Sequence, residues 1–164
     1  MNLMLDGRVA ILVGSSSGMG KATAIAFAEA GARVVLASRQ VNQLEVLASE
    51  IGDQALICPI DVQNARAVDQ LVQTTLDQFG RIDILVYATG TNIPNRSIDV
   101  LSHETWDMMI GTNLTGAFYC TKAIIPTMRQ QGEGLIIYLS TGAVQSPDIS
   151  GVSYQASKHG LTGL

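Results

Sequence analysis

The sequence predicts an α/β fold built on a doubly wound parallel sheet, and two observations predict it. Short apolar, β-branched runs alternate with amphipathic stretches of helical period, as βαβ units do when they feed a sheet covered on both faces. A glycine-rich turn stands directly between the first such run and the first such stretch.

Five strands are expected, at Val9–Val13, Arg33–Ala37, Ala55–Ile60, Asp83–Ala88 and Leu135–Leu139. Helical patterns lie between them at Gly20–Ala30, Val41–Ile51, Ala65–Phe79 and Glu104–Gln130. Gly31 and Gly80 follow the first and third helices, where a left-handed C-terminal cap favours a residue without a side chain. In the fourth helix Trp106, Ile110, Asn113, Leu114, Ala117, Thr121 and Ile124 share one stripe at spacings of three and four. A polar Asn113 on that buried stripe calls for an explanation. A fifth helix begins at Gly151 and has run about three turns by Leu164.

At 164 residues and 47% hydrophobic content the chain can bury one substantial core, and residues 1–164 read as a single domain without repeat, linker or low-complexity tract. A charged fraction of 15% and a net charge of -4 leave no electrostatic footprint for nucleic acid. No run approaches membrane-spanning length, and Asp6 and Arg8 fall where a signal peptide needs its apolar segment. Cys58 and Cys120 sit far apart in apolar runs and suggest no disulfide, so a cytoplasmic setting is expected. His103 and His159 belong to no cluster with metal-ligand spacing, and Met108, Met109 and Met128 read as packing or interface residues.

The glycine turn reads Gly14-Ser-Ser-Ser-Gly18-Met-Gly20-Lys21 and opens a helix whose free amides and positive dipole end suit a phosphate. Its GxxxGxG spacing differs from the commonest dinucleotide fingerprint, GxGxxG. A P-loop would need glycine at position 15 and Ser or Thr at position 22, where the chain has Ser15 and Ala22. Gly14-Ser15-Ser16-Ser17-Gly18 also matches the GxSxG nucleophile elbow, which would make Ser16 a hydrolase nucleophile. That alternative leaves Asn113, Tyr154 and Lys158 without roles, and a plain glycine-rich connection is the third reading.

Tyr154 and Lys158 stand four apart on a helix and hence on one face. An ammonium beside a phenol stabilises phenolate, which suits a proton donor to a carbonyl.

Together the turn and the Tyr154/Lys158 pair resemble the short-chain dehydrogenase/reductase family, with its early TGxxxGxG and later YxxxK. The resemblance covers essentially the whole chain, with Val13 in place of the threonine. It implies a Rossmann-like sheet of order 3-2-1-4-5, with the family's C-terminal strands missing. The last strand would then be an exposed apolar edge, and the chain a truncated product, poorly active alone or in need of a complementary partner.

The resemblance implies a nicotinamide cofactor held by Gly14, Ser16, Ser17, Gly18, Met19 and Gly20, with Asp61 and Val62 meeting the adenine. Ala88 and Gly90 would line the same site, as would Tyr154 and Lys158. Arg39 stands where NADP-preferring members carry a basic residue and Ser38 replaces the acid that binds a free ribose hydroxyl, so NADP(H) is expected over NAD(H).

The implied reaction interconverts a carbonyl and a secondary alcohol, as in 3-oxoacyl reductases, with Tyr154 as general acid/base and Lys158 tuning it and binding ribose. Asn113 falls on the family's catalytic asparagine, which interrupts the helix ladder and holds a water that links the lysine to solvent. The substrate-orienting hydroxyl falls on Thr141, or on Ser140 if the following loop is one residue longer than usual. Tyr87-Ala88-Thr89-Gly90 departs from the family's Asn-Asn-Ala-Gly, and the asparagines that brace that strand end are absent. Full-length members are homo-oligomers, through an interface much of which this chain lacks.

Overall fold

A computed structural model describes residues 4–145 and 150–164, with Ala143 as backbone only. Its strands are β1 (Val9–Val13), β2 (Arg33–Ala37), β3 (Ala55–Ile57), β4 (Ile84–Tyr87) and β5 (Leu135–Tyr138). All pair in parallel, in the order β3-β2-β1-β4-β5, as expected of a doubly wound sheet. The register sets Ile11 beside Val35 and Leu85, so β1 lies at the centre.

The third strand is shorter than its apolar run. Cys58 and Ile60 still donate their amides to Leu36 and Ser38, and Pro59 between them sits where an amide would face the open side of this edge strand, a position that tolerates proline.

Successive residues of a strand point to opposite faces, and both faces of this sheet are buried. Val9, Ile11 and Val13 join Leu71, Ala117 and Ile124 in one core layer. Ala10 and Leu12 join Ala24, Leu44 and Leu47 in the other. Each fully buried Leu, Ile or Val contributes roughly 1.5–3 kcal/mol relative to exposure, so the two layers together hold the sheet. At one edge β5 has an exposed Leu135 and three half-buried residues after it.

The helices are α1 (Gly18–Glu29), α2 (Val41–Ile51), α3 (Ala65–Phe79), α4 (His103–Ile110), α5 (Gly116–Gln131) and α6 (Val152–Gly163). Asn64 caps α3 by accepting from the Arg66 and Ala67 amides, and Gly80 closes it at φ 72°. Gly31, at φ 96°, follows the Ala30 cap of α1.

The predicted fourth helix is two helices joined by one π-helical turn, Gly111–Thr115. There the Gly116 amide donates to the Gly111 carbonyl instead of the Thr112 carbonyl. The turn inserts one extra residue, and the buried stripe upstream shifts by one position. Met109 is therefore buried where Ile110 was expected, and Trp106 is exposed. Downstream the stripe keeps its phase through Asn113, Ala117 and Ile124.

Candidate active site

The turn after β1 needs its glycines for three separate reasons. Gly14, at φ 89°, donates its amide to the Ala37 carbonyl, and a Cβ there would lie 2.7 Å from the Thr89 amide nitrogen. A Cβ on Gly20 would overlap the Gly14 carbonyl oxygen. Gly18, at φ 54°, faces open space. Ser17 is the N-cap of α1 but makes no side-chain capping bond, and no acidic side chain lies in the first turn. The amides at that helix start are thus left for an external acceptor.

These residues border a cleft of about 260 Å³ at the C-terminal ends of β1, β2 and β4, where the strand order reverses. Gly14, Ser16, Ser17, Gly18, Met19 and Gly20 line one side. Ser38 and Arg39 line it past β2, Asp61 and Val62 past β3, and Ala88 and Gly90 past β4. Gln40, Ile60, Thr89 and Thr112 also line it, although the sequence reading did not single them out. Each is one or two positions from a residue that was named, and Thr89 is the one pressed against Gly14. Arg39 and Met19 are exposed.

Asn113 is fully buried, and its side chain makes three hydrogen bonds. Its Oδ1 accepts from the Thr91 amide at 2.8 Å. Its Nδ2 donates to the Thr91 carbonyl and to Ser157 Oγ, both at 3.0 Å. The pair of bonds to Thr91 fixes the segment after β4, and the bond to Ser157 ties it to α6.

Lys158 is 4% exposed and donates to the Leu139 carbonyl at 2.7 Å. Burial lowers its pKa from the ordinary lysine value. The ammonium lies 5.9 Å from the centre of the half-buried Tyr154 ring, one turn away on α6. A Cβ on Gly90 would come within 3.2 Å of Lys158 Nζ and 3.8 Å of Asn113 Oδ1. Gly90 is thus the shared wall between the cleft and the Asn113/Lys158 pair.

Ser140 and Thr141 follow β5, and Thr141 enters the short 3₁₀ turn Gly142–Val144. Ser140 Oγ is enclosed without a hydrogen-bond partner. The loop length that would separate Thr141 from Ser140 runs through residues 146–149, outside the described residues.

A serine hydrolase would need a histidine beside Ser16. Neither His103, at the start of α4, nor His159, whose ring contacts the Gln155 carbonyl on α6, lines the cleft that holds Ser16. No helix among the described residues is long and apolar enough to cross a membrane.

A family model described as short chain dehydrogenase matches residues 8–164. An uncharacterized oxidoreductase of Staphylococcus haemolyticus is 38% identical over 94% of this chain and 67% of its own length. A 3-oxoacyl-[acyl-carrier-protein] reductase of Synechocystis is also 38% identical, over 98% of this chain and 66% of the relative. A crystal structure of the protein gox2181 superimposes with a TM-score of 0.91 at 31% identity, covering 99% of this chain and 65% of that one. The chain thus spans about two thirds of the length of the relatives it matches.

Proposed function

This chain belongs to the short-chain dehydrogenase family, and on that premise we propose that it is an NADP(H)-dependent oxidoreductase interconverting a carbonyl and a secondary alcohol. One observation carries the proposal: Gly90 separates the glycine-turn cleft from Lys158 Nζ and Asn113 Oδ1 by little more than a backbone's thickness. A ligand in the cleft is therefore brought to the proton-handling side chains.

The residues fit a dinucleotide. The uncapped start of α1 offers amides to a pyrophosphate, and the open space at Gly18 lets it approach. Arg39 at the rim suits a ribose phosphate, and the position of Asp61 and Val62 in the cleft lining supports a role for them at the adenine. When bound, a nicotinamide dinucleotide supplies or accepts hydride at the substrate carbon.

The chain's own part is to hold the substrate and move a proton. Tyr154 gives its phenolic proton to the carbonyl oxygen in reduction and takes one from the hydroxyl in oxidation. Lys158, buried beside it, stabilises the phenolate and binds the ribose. Asn113 fixes the π-helical turn, where a water relays protons between Lys158 and solvent. Thr141 orients the carbonyl, a role that the enclosure of Ser140 Oγ favours over Ser140. A small-molecule substrate in a cytoplasmic setting belongs to the same proposal. The name of the Synechocystis relative supports a 3-oxoacyl compound as the first substrate to try.

The test titrates NADPH fluorescence and follows its oxidation with a panel of carbonyl compounds, for the chain and for Tyr154→Phe. Binding by both proteins, with turnover only in the unsubstituted chain, is expected. A general acid contributes roughly 10²–10⁴ in rate, so the substituted protein should fall by that factor. Equal turnover by Tyr154→Phe would remove Tyr154 from its role. Binding without turnover in either protein would indicate a chain that holds nucleotide only.

A further inference from the structure

The π-helical turn at Gly111–Thr115 leaves the Thr112 carbonyl without the donor an α-helix would give it, because the Gly116 amide goes to Gly111 instead. Thr112 is 5% exposed, so water is a poor substitute. The donor is the hydroxyl of Tyr87, the last residue of β4, at 2.5 Å from the Thr112 carbonyl oxygen. Tyr87 is fully buried, and burial holds its phenol above the ordinary value, so at neutral pH it is a donor.

Room for this hydroxyl comes from Gly116. A Cβ there would collide with Tyr87 Oη and come within 2.8 Å of Val62. Thr112 is held from the other side as well, since its Oγ1 accepts from Gln63 Nε2 at 3.2 Å. Asn113 is the next residue in the turn.

We propose that Tyr87, with Gly116 as its clearance, is a positioning residue that holds the π-helical turn and thereby aims Asn113 at Thr91 and Ser157. It never meets the reacting atoms. The inference rests on the reading of Asn113 as part of the proton path, but its structural core can be tested apart from that reading. Tyr87 stands where the resemblance led us to expect an asparagine, so this chain braces the end of β4 by a different bond.

The experiment uses ¹⁵N-labelled chain with Tyr87→Phe, and Gly116→Ala as a second route to the same contact. The readouts are the side-chain amide resonances of Asn113, assigned with Asn113→Asp, and their exchange with solvent. NADPH affinity and turnover are measured in parallel. In each variant that keeps the native melting profile, the Asn113 amide signals are expected to shift and exchange faster. NADPH affinity should stay within about twofold while kcat falls roughly 10- to 100-fold, the scale of a small misplacement of a catalytic group. Unchanged Asn113 signals in a folded variant overturn the proposal whatever the turnover. Shifted signals with unchanged turnover leave Tyr87 as the brace and remove Asn113 from the reaction. Native melting lost in both variants, with Tyr87→Leu retaining it and the native Asn113 signals, would also overturn it.

Discussion

Ser157 joins Asn113 to the helix that carries Tyr154 and Lys158. Its hydroxyl accepts from Asn113 Nδ2 at 3.0 Å and donates to the Tyr154 carbonyl at 2.8 Å. The bond to Asn113 is buried, the bond to the Tyr154 carbonyl is part-buried, and Ser157 itself is fully buried. Replacing Ser157 with Ala leaves one Asn113 donor buried without a partner, at a cost of roughly 1–3 kcal/mol. Urea unfolding of Ser157→Ala should show a lower midpoint with an unchanged slope. A midpoint equal to that of the unsubstituted chain would mean that the bond contributes nothing.

On the proposed reading, the cofactor preference turns on Arg39. It lines the cleft past β2 and is otherwise exposed, so Arg39→Ala should leave the fold alone. A lost charge-assisted contact to a ribose phosphate should weaken NADPH binding roughly tenfold while NADH binding barely changes. Parallel fluorescence titrations measure the two affinities. Equal weakening of both nucleotides would count against NADP preference.

At the opposite end of the sheet, Asp83 is 3% exposed and accepts from the Val9 amide, Arg8 and Arg81 Nε, each at 2.8 Å, and from Arg81 Nη2 at 2.5 Å. Burial alone would raise its pKa, but the hydrogen bonds from Arg81, Val9 and Arg8 outweigh it and hold the carboxyl below 3.8. The stability Asp83 contributes is therefore fully present above pH 3.8 and is lost as pH falls through the lower folded value. Asp83→Asn should cost roughly 2–4 kcal/mol at neutral pH. Urea unfolding of both proteins from pH 6 downward checks the sign, because the gap between them should begin to close only below pH 3.8.

The sheet could be read in advance because each strand is a compact apolar run and each gap a helical period. Boundaries were less legible: β3 ends at Ile57, although Cys58 and Ile60 beyond it still donate to β2. The π-helical turn escaped a reading based on a single helical period, which is why Trp106 was assigned to the core and is exposed. An Asn on a buried stripe was the visible sign that something interrupted that helix. The glycine turn and the Tyr154/Lys158 pair could be found by spacing. The Thr89 contact with Gly14 and the Tyr87 bond to Thr112 could not, since both join segments distant in the chain. The residue that holds Asn113 from α6, Ser157, likewise shows no pattern of its own.

The approach of Gly14 to Thr89 also bears on when the cleft can exist. β1 pairs with both β2 and β4, and β4 is made long after β1 and its glycine turn. Until β4 docks, that turn has neither the wall it packs against nor the Gly90 that separates it from Lys158. Closing so long a loop is slow compared with forming the first βαβ unit. During synthesis, therefore, a chain released only through α3 carries the whole glycine signature but lacks the wall of the cleft that Ala88, Thr89 and Gly90 supply, so on the proposed reading the nucleotide site is complete only after β4 has docked.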